Sequence, residues 1–353
     1  MATLTSTFDA DNKIHFPVPA EAAMALARAL TGLMEVEDGP TPEQARIFRA
    51  VATHLLGVDV SSIAPSAALA PAELPARLPE HQHQRLFMQM AIILEFCRHP
   101  KSEAQLERLE AYAAALKFDG PEIQIVREFA HRSTAEATAD YVRIYDSYMP
   151  QLSEHAMAPA TGELMPYDEE FFERLHRLAD MPYGSLGWAF ATFYRRAELK
   201  MPGRGTPNPG YYVCHDMNHV ITGYEATGPG EIALGAFKLA LSNSEANWLA
   251  SMTNFLIHEV GLFVHGTDLQ FVPYGRDGDP YHVQGIRGAL DMPGAPELFA
   301  EALERGAACL GDFSQLDHLA IAHLPLVEIR REYNVRPLRQ SMYDDRDFWP
   351  ASY

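Results

Sequence analysis

Apolar residues recur three or four positions apart along most of this chain, and that spacing is the period of an α-helix. The pattern runs from Ala20 to about Met149 and returns at Asp168, whereas prolines and a glycine interrupt it in between. We therefore predict an all-α protein with two helical domains. The predicted boundaries are an N-terminal helical domain at 1–150, a linker at 151–167 and a second, metal-binding helical domain at 168–353. A loop or short hairpin is expected at Val264–Val283, which is rich in Gly and Pro.

Charge and cysteine content exclude several classes of protein. The 353 residues contain 47 Asp and Glu against 28 Lys and Arg, a formal net charge of -19, so we expect no nucleic-acid partner. The three cysteines are widely spaced and form neither a disulfide framework nor a Cys-x-x-Cys motif. This favours a reducing compartment, and we predict a cytoplasmic protein.

Hydropathy limits the ways in which the chain can meet a membrane. Residues Met1–Pro17 include three charged side chains where a signal peptide needs an apolar stretch, so we expect no export by that route. No window approaches the roughly 20 consecutive apolar residues of a spanning helix. Any membrane contact is therefore expected to be peripheral.

Two helix starts in the N-terminal part look alike. Thr41-Pro42-Glu43-Gln44 and Ser102-Glu103-Ala104-Gln105 both place a hydroxyl three residues before a Gln, which predicts a capping box at each start. The first follows the acidic turn Leu33–Gly39, and this arrangement resembles the tellurite-resistance (TerB-like) helical domain. The second turn has Arg98, His99 and Lys101 where carboxylates would be needed to bind a metal. We therefore expect a solvated helix-turn-helix here.

The most informative segment is Tyr211–Gly223, which reads as one helix of about three turns. His215 and His219 are four residues apart, so both imidazoles lie on one helix face, with Cβ atoms about 6 Å apart. Asp216 lies about 100° around the same helix, where its carboxylate can bind a metal or accept from an imidazole N–H. Taken alone, His-x-x-x-His also fits a buried, hydrogen-bonded histidine pair.

Glu231 follows twelve residues after His219, behind Gly228-Pro229-Gly230 and ahead of an apolar run. It is predicted to lie in the first turn of the next helix, and an antiparallel hairpin would return it toward the first helix. Two imidazoles and two carboxylates make a mixed nitrogen and oxygen site for a divalent ion. Such a set could leave open positions for water or substrate.

The string His-Asp-x-x-His, eleven residues and Glu resembles the signature of the coenzyme Q (ubiquinone) biosynthesis protein 4 family, at His215, Asp216, His219 and Glu231. Further matches are Met181–Gly187, Gly230–Ala233, Leu324–Leu326 and Ile329–Val335. The resemblance covers about Tyr167 to Pro337.

This resemblance implies a divalent metal, usually zinc, held by His215, Asp216, His219 and Glu231, which would also be the catalytic residues. Iron would suit oxygen chemistry better. The implied enzyme is a decarboxylase that removes the ring carboxylate of a prenylated aromatic acid and hydroxylates that carbon. Implied partners are a prenylated aromatic or quinone lipid and other quinone-biosynthesis proteins, with peripheral contact on the inner face of the membrane. We also expect a homodimer.

Three departures from the family pattern leave the substrate and the partners open. Ser242–Glu245 breaks the apolar tract after Glu231, 262–283 looks like an insertion, and the N-terminal domain is additional.

Two other functions compete with this prediction. One is a non-catalytic lipid-binding scaffold that uses the metal only for structure. The other is a His-Asp phosphohydrolase, which needs an earlier His, such as His155 or His176, and a later Asp, such as Asp268 or Asp291. That class would leave Glu231 unexplained.

Three further groups of residues are weaker candidates for a functional role. His258 and His265 are seven apart and share a helix face, so His258 could approach the metal, but this face is expected to be core or interface. Arg330 and Arg331 are expected to complement the dipole of their own helix. A polar loop that could touch a substrate head group contains Arg276, Asp277, Asp279, Tyr281, His282 and Arg287.

Overall fold

Helices form the regular structure of the residues that the computed structural model describes, which are 18–63, 68–99, 101–131, 152, 168–203, 206, 209–260, 288–340 and 348–350. Within these residues there is no strand, and an isolated bridge joins Ser185 and Pro325. The predicted all-α class is confirmed. Apart from Leu152, the linker predicted at 151–167 lies outside the described residues, as does the loop predicted at Val264–Val283.

The described residues contain fourteen α-helices. They are α1 (Ala20–Met34), α2 (Pro42–Ala50), α3 (Leu74–Arg77), α4 (His81–Phe96), α5 (Glu103–Leu116), α6 (Pro121–His131), α7 (Glu169–Arg177), α8 (Leu186–Arg196), α9 (Pro209–Thr222), α10 (Gly228–Leu241), α11 (Glu245–His258), α12 (Ala295–Ala307), α13 (His318–Ile321) and α14 (Leu326–Glu332).

These helices group into two compact units. The N-terminal unit contains the described residues of 18–131 and 251–304, and the site unit contains those of 168–250 and 305–350. The division cuts α11 and α12. Residues 251–304 therefore group with the N-terminal helices, whereas the sequence prediction placed them in the second domain. The predicted domain boundaries stay a prediction, because a contact grouping does not show which segments fold alone.

In the N-terminal unit, the two similar helix starts lie side by side. At α2 the amide of Gln44 donates to Thr41 Oγ1 at 3.3 Å and the amide of Thr41 donates to Gln44 Oε1 at 3.0 Å, which completes the predicted capping box. At α5 the hydroxyl of Ser102 accepts from the amide of Gln105 at 3.1 Å. The side chain of Gln105 instead accepts from Gln44 Nε2 at 2.8 Å and donates to Glu95 at 2.8 Å. The second capping box is therefore only half-formed, because its Gln joins neighbouring helices.

The acidic turn after α1 is bound by Arg98, at the end of α4. The guanidinium donates to Glu37 Oε2 at 3.0 Å and to the carbonyl of Gly39 at 3.1 Å. Glu37 is half-exposed, as expected for a solvated turn, whereas the side chain of Arg98 is buried. The turn therefore has a cationic partner from the second of the two similar helix pairs.

In the site unit, the start of α8 is docked against the segment before α14. The Ser185 hydroxyl caps α8, and the next two amides, of Leu186 and Gly187, donate to the carbonyls of Leu324 at 2.9 Å and Ala322 at 2.8 Å. A Cβ at Gly187 would lie 3.2 Å from the Ala322 carbonyl oxygen, so a side chain would be crowded there. Two separate stretches of the family resemblance thus contact each other and fix the start of α8.

The carboxyl end of α9 is capped by two buried arginines. Arg330 donates to the carbonyls of Val220 and Ile221 at 2.9 and 3.0 Å, and Arg305 donates to that of Thr222 at 2.6 Å. The last carbonyls of a helix have no partner within it, so these bonds satisfy groups that burial would otherwise leave unpaired. Arg330 lies in the last turn of its own helix, as expected, and its guanidinium in addition donates to the end of α9, which the sequence did not predict.

Candidate metal site in the α9–α10 hairpin

The turn between α9 and α10 is set by local chemistry. Gly223 ends α9 with φ of 84°, a left-handed conformation that favours glycine. Thr227 then caps α10 by accepting from the amide of Gly230 at 3.2 Å. A Cβ at Gly230 would collide with the carbonyl oxygen of Glu225. The absence of a side chain at Gly230 therefore lets the turn close and places Glu231 in the first turn of α10, as predicted.

Three side chains meet closely across this hairpin. Nε2 of His215 lies 2.9 Å from Oε2 of Glu231, and Nε2 of His219 lies 3.1 Å from Oε1 of the same carboxylate. The two Nε2 atoms are 3.1 Å apart. Asp216 completes the group, since its ligand atom and those of both histidines all lie within 4.8 Å of one another. The structure thus brings together all four residues predicted from the sequence.

Packing and one hydrogen bond orient the imidazoles. The ring of Phe193 stacks on His219 with centroids 5.5 Å apart, and that of Tyr211 stacks on His215 at 5.5 Å. Nδ1 of His219 lies 3.0 Å from the carbonyl of Tyr224, which can only accept, so Nδ1 carries the proton. In the neutral ring, Nε2 therefore presents its lone pair toward Glu231, which is the orientation that a metal-binding imidazole requires.

Asp216 is buried and is held from a different helix. The hydroxyl of Tyr194, on α8, donates to Oδ2 of Asp216. Burial raises the pKa of Asp216, although the nearby charges of His215 and His219 act to lower it. Burial also raises the pKa of Tyr194 far above its usual range, and the charge of Asp216 adds to that effect. Tyr194 is therefore the proton donor in this pair.

His219 and Glu231 are electrostatically coupled. Burial alone would raise the pKa of Glu231, but the adjacent imidazoles of His219 and His215 hold it well below its usual value. Burial alone would lower the pKa of His219, yet the charge of Glu231 and their hydrogen bond raise it. The Glu231 carboxylate and the His219 imidazole thus each favour the charged form of the other.

The donor set fits a divalent cation. Two neutral Nε2 atoms and two carboxylates are all acceptors, so their convergence requires either protons or a metal ion between them. A tetrahedral ion with bonds of about 2.0–2.1 Å separates its ligand atoms by roughly 3.3–3.4 Å. The distances of 2.9 and 3.1 Å among the His215, His219 and Glu231 atoms need only a small expansion to reach that spacing.

The structure describes three of the residues considered for other sites. His176 is exposed on α7, and its Nδ1 lies 2.8 Å from the carbonyl of Phe172 in its own helix. Asp291 ends a short 3₁₀ turn in the N-terminal unit and pairs with Arg46 at 3.6 Å. His258 is buried in that unit as well. Outside the described residues are His155, His265, Asp268 and the polar loop of Arg276, Asp277, Asp279, Tyr281, His282 and Arg287.

Sequence reasoning did not assign the aromatic residues around the site. Tyr211 lies four residues before His215, so its place on the same helix face could have been predicted. Phe193 and Tyr194 belong to a segment whose apolar spacing predicts a helix and gives them no role at the site. Their contacts with His219 and Asp216 join α8 to α9. The spacing of residues along the sequence does not predict contacts between these two helices.

Comparisons with known proteins find only distant structural likeness. No protein-family model matches the sequence, and no curated protein matches it. A solved structure from Nostoc punctiforme, named as a candidate ubiquinone biosynthesis protein, is 14% identical. The match covers 73% of this chain and 99% of that chain with a TM-score of 0.31. A similarity at this level carries no argument about fold or function.

The described helices are too short or too polar to cross a membrane.

Proposed function

We propose that this chain performs a metal-dependent step of ubiquinone biosynthesis, the oxidative decarboxylation of a prenylated aromatic acid. In this step the ring carboxylate leaves as CO2, an oxygen atom from water enters the same ring carbon as a hydroxyl, and a separate two-electron oxidant accepts the two electrons. One observation carries the proposal. The Nε2 atoms of His215 and His219 and the carboxylate of Glu231 converge within 3.1 Å of one another across the hairpin. These are residues of the string that resembles the coenzyme Q biosynthesis protein 4 signature, so spacing and geometry both support a metal site at this position.

In this proposal each residue has a distinct task. His215, His219 and Glu231 hold the ion, zinc or iron, and Asp216 adds an oxygen from the neighbouring position on α9. A bound divalent ion supplies Lewis acidity toward a substrate carboxylate or phenolate. The stacked rings of Phe193 and Tyr211 keep the imidazoles in place and exclude water from their faces.

A lipid-binding scaffold with a structural metal is the second candidate, and burial is the observation that favours it. The side chain of His219 is 0% exposed, that of His215 is 11% and that of Glu231 is 15%. Structural zinc sites are closed by four protein ligands, whereas catalytic sites keep an open position. With a metal bound, the number of exchangeable water ligands separates the two functions.

The proposed function is tested by His219→Ala. The variant should fold but lose its metal, and it should not restore quinone production in cells that lack the parent gene. The measurements are elemental analysis of the purified protein and mass spectrometry of the cell lipids. His176→Ala, which removes an exposed histidine of the same unit, should behave like the parent protein.

The lipid profile decides between the candidates. Cells that lack the gene should accumulate a carboxylated prenyl-aromatic compound if the chain performs the decarboxylation. Normal quinone levels with His219→Ala would refute a metal-dependent role. Quinone loss without that intermediate would favour the scaffold.

A further inference from the structure

Asp216 differs from the other three site residues in how it is held. His215, His219 and Glu231 contact one another across the hairpin, whereas Oδ2 of Asp216 accepts from the hydroxyl of Tyr194 on α8. The aspartate is only 7% exposed, so bulk water has little access to its carboxylate. One of its two oxygens is therefore committed to Tyr194, which leaves the other for a cation.

Helix α8 reaches the site at two consecutive positions. Phe193 stacks on the ring of His219, and Tyr194 holds Asp216. Both residues are almost fully buried, at 2% and 4% exposure. The start of α8 is itself held by hydrogen bonds to the segment before α14, so the helix offers a fixed surface against which two of the four site residues rest.

We propose that Tyr194 is a positioning residue for the cation site, acting through Asp216. Its hydroxyl fixes Oδ2, so that Asp216 presents a single oxygen beside the imidazoles and binds through one atom. This inference rests on the proposed metal-dependent function, since it assigns a role toward the ion. Removing a hydrogen-bond partner that orients a metal ligand typically weakens metal affinity 10- to 100-fold.

Tyr194→Phe isolates the hydroxyl from the ring. The ring packs on Phe190 with centroids 4.8 Å apart, and phenylalanine preserves that contact. The matched control is Tyr333→Phe in the same unit. Tyr333 is also buried, and its hydroxyl finds no hydrogen-bond partner among the residues that the structure describes. Both substitutions remove one buried hydroxyl, and only the first removes a bond to the site.

The experiment is a competitive titration of the full chain with Zn²⁺ against a chromophoric chelator. We expect Tyr194→Phe to bind about 10- to 100-fold more weakly than the parent chain and Tyr333→Phe to bind equally well. The visible absorption of the Co²⁺ form supplies a second readout, because its bands report ligand geometry. These bands should shift in Tyr194→Phe and stay unchanged in the control.

A double-mutant cycle with Asp216→Ala tests the route of the effect. If Tyr194 acts through Asp216, Tyr194→Phe has no further effect on affinity once the carboxylate is gone. Equal loss in both backgrounds would overturn the inference, as would unchanged affinity and an unchanged Co²⁺ spectrum in the single variant. A parent chain that binds no metal would instead overturn the proposed function, and this inference with it.

Discussion

At the scale of single residues, the geometry of the site depends on one glycine. Gly230 lies in the first turn of α10, where helix propensity alone predicts that alanine would stabilise the chain by roughly 1 kcal/mol. A Cβ there would collide with the Glu225 carbonyl oxygen, a backbone atom that cannot move aside like a flexible side chain. The collision outweighs the propensity, and it would displace the adjacent Glu231.

Gly230→Ala is therefore expected to lower the melting temperature and to weaken zinc affinity at least about tenfold, by analogy with other changes that misplace ligands. Calorimetry and zinc titration measure the two effects. The control is Gly203→Ala, whose added Cβ would lie 3.8 Å from the Met201 carbonyl oxygen, an ordinary contact. A stabilised Gly230→Ala with parental affinity would show that the turn tolerates a side chain.

At the scale of elements, neighbouring positions in a helix can have unequal importance. Arg330 and Arg331 are adjacent on α14, yet Arg330 is buried and donates to carbonyls of α9, whereas Arg331 is exposed and pairs with Glu328. Trp349 covers the buried guanidinium, with Cζ 3.4 Å from its ring centroid. Charged hydrogen bonds are worth about 1.5–3 kcal/mol each, and exposed ion pairs about 0–1 kcal/mol.

Arg330→Ala should accordingly lower the free energy of unfolding by about 2–4 kcal/mol, because it leaves buried carbonyls of α9 without donors. Arg331→Ala should lower it by less than about 1 kcal/mol. Urea denaturation measures both, and the adjacent position makes each variant the control for the other. Similar losses for the two variants would contradict the capping role.

Much of the architecture follows from local sequence at this scale. The helical period predicted the elements, and the spacing of His215, His219 and Glu231 predicted a site across a hairpin, since both depend on neighbours within a few turns. The sequence did not predict that the capping box at Gln105 is only half-formed. It also did not predict that Arg330 donates hydrogen bonds to carbonyls of α9. In each case the side chain forms hydrogen bonds to a residue on another helix. Sequence rules for capping and helix dipoles consider only partners within the same helix.

At the scale of the whole molecule, stability should depend on pH through a buried carboxyl of the N-terminal unit. Burial raises the pKa of Glu95 to about 7, and the hydrogen bond from Gln105 and the charges of Arg98 and Lys101 offset this only in part. The folded chain thus holds this proton more tightly than the unfolded chain, whose carboxyl has a pKa near 4.5. The stability that the protonated Glu95 carboxyl contributes is fully present below about pH 4.5 and is lost as pH rises through 7.

Glu95→Gln removes this dependence, because a neutral amide carries no charge to bury. As the pH rises from 5 to 8, the free energy of unfolding of the variant should increase by about 1–3 kcal/mol relative to that of the parent. Denaturation at the two pH values measures the gain. Glu107→Gln, an exposed change on α5, should show none. If the free energies of unfolding of Glu95→Gln and the parent differ by the same amount at both pH values, the pKa of the Glu95 carboxyl is not raised by burial.

The docking of α8 has a consequence for the order in which the site is completed during synthesis. The amides of Leu186 and Gly187 bond to carbonyls of Leu324 and Ala322, and the partner of Gly187 is translated 135 residues later. Until that segment leaves the ribosome, α8 lacks the anchor that sets Phe193 and Tyr194 against α9. A nascent chain therefore has all four candidate ligands before it has their support, and tight cation binding would mark a chain whose translation has passed Leu324.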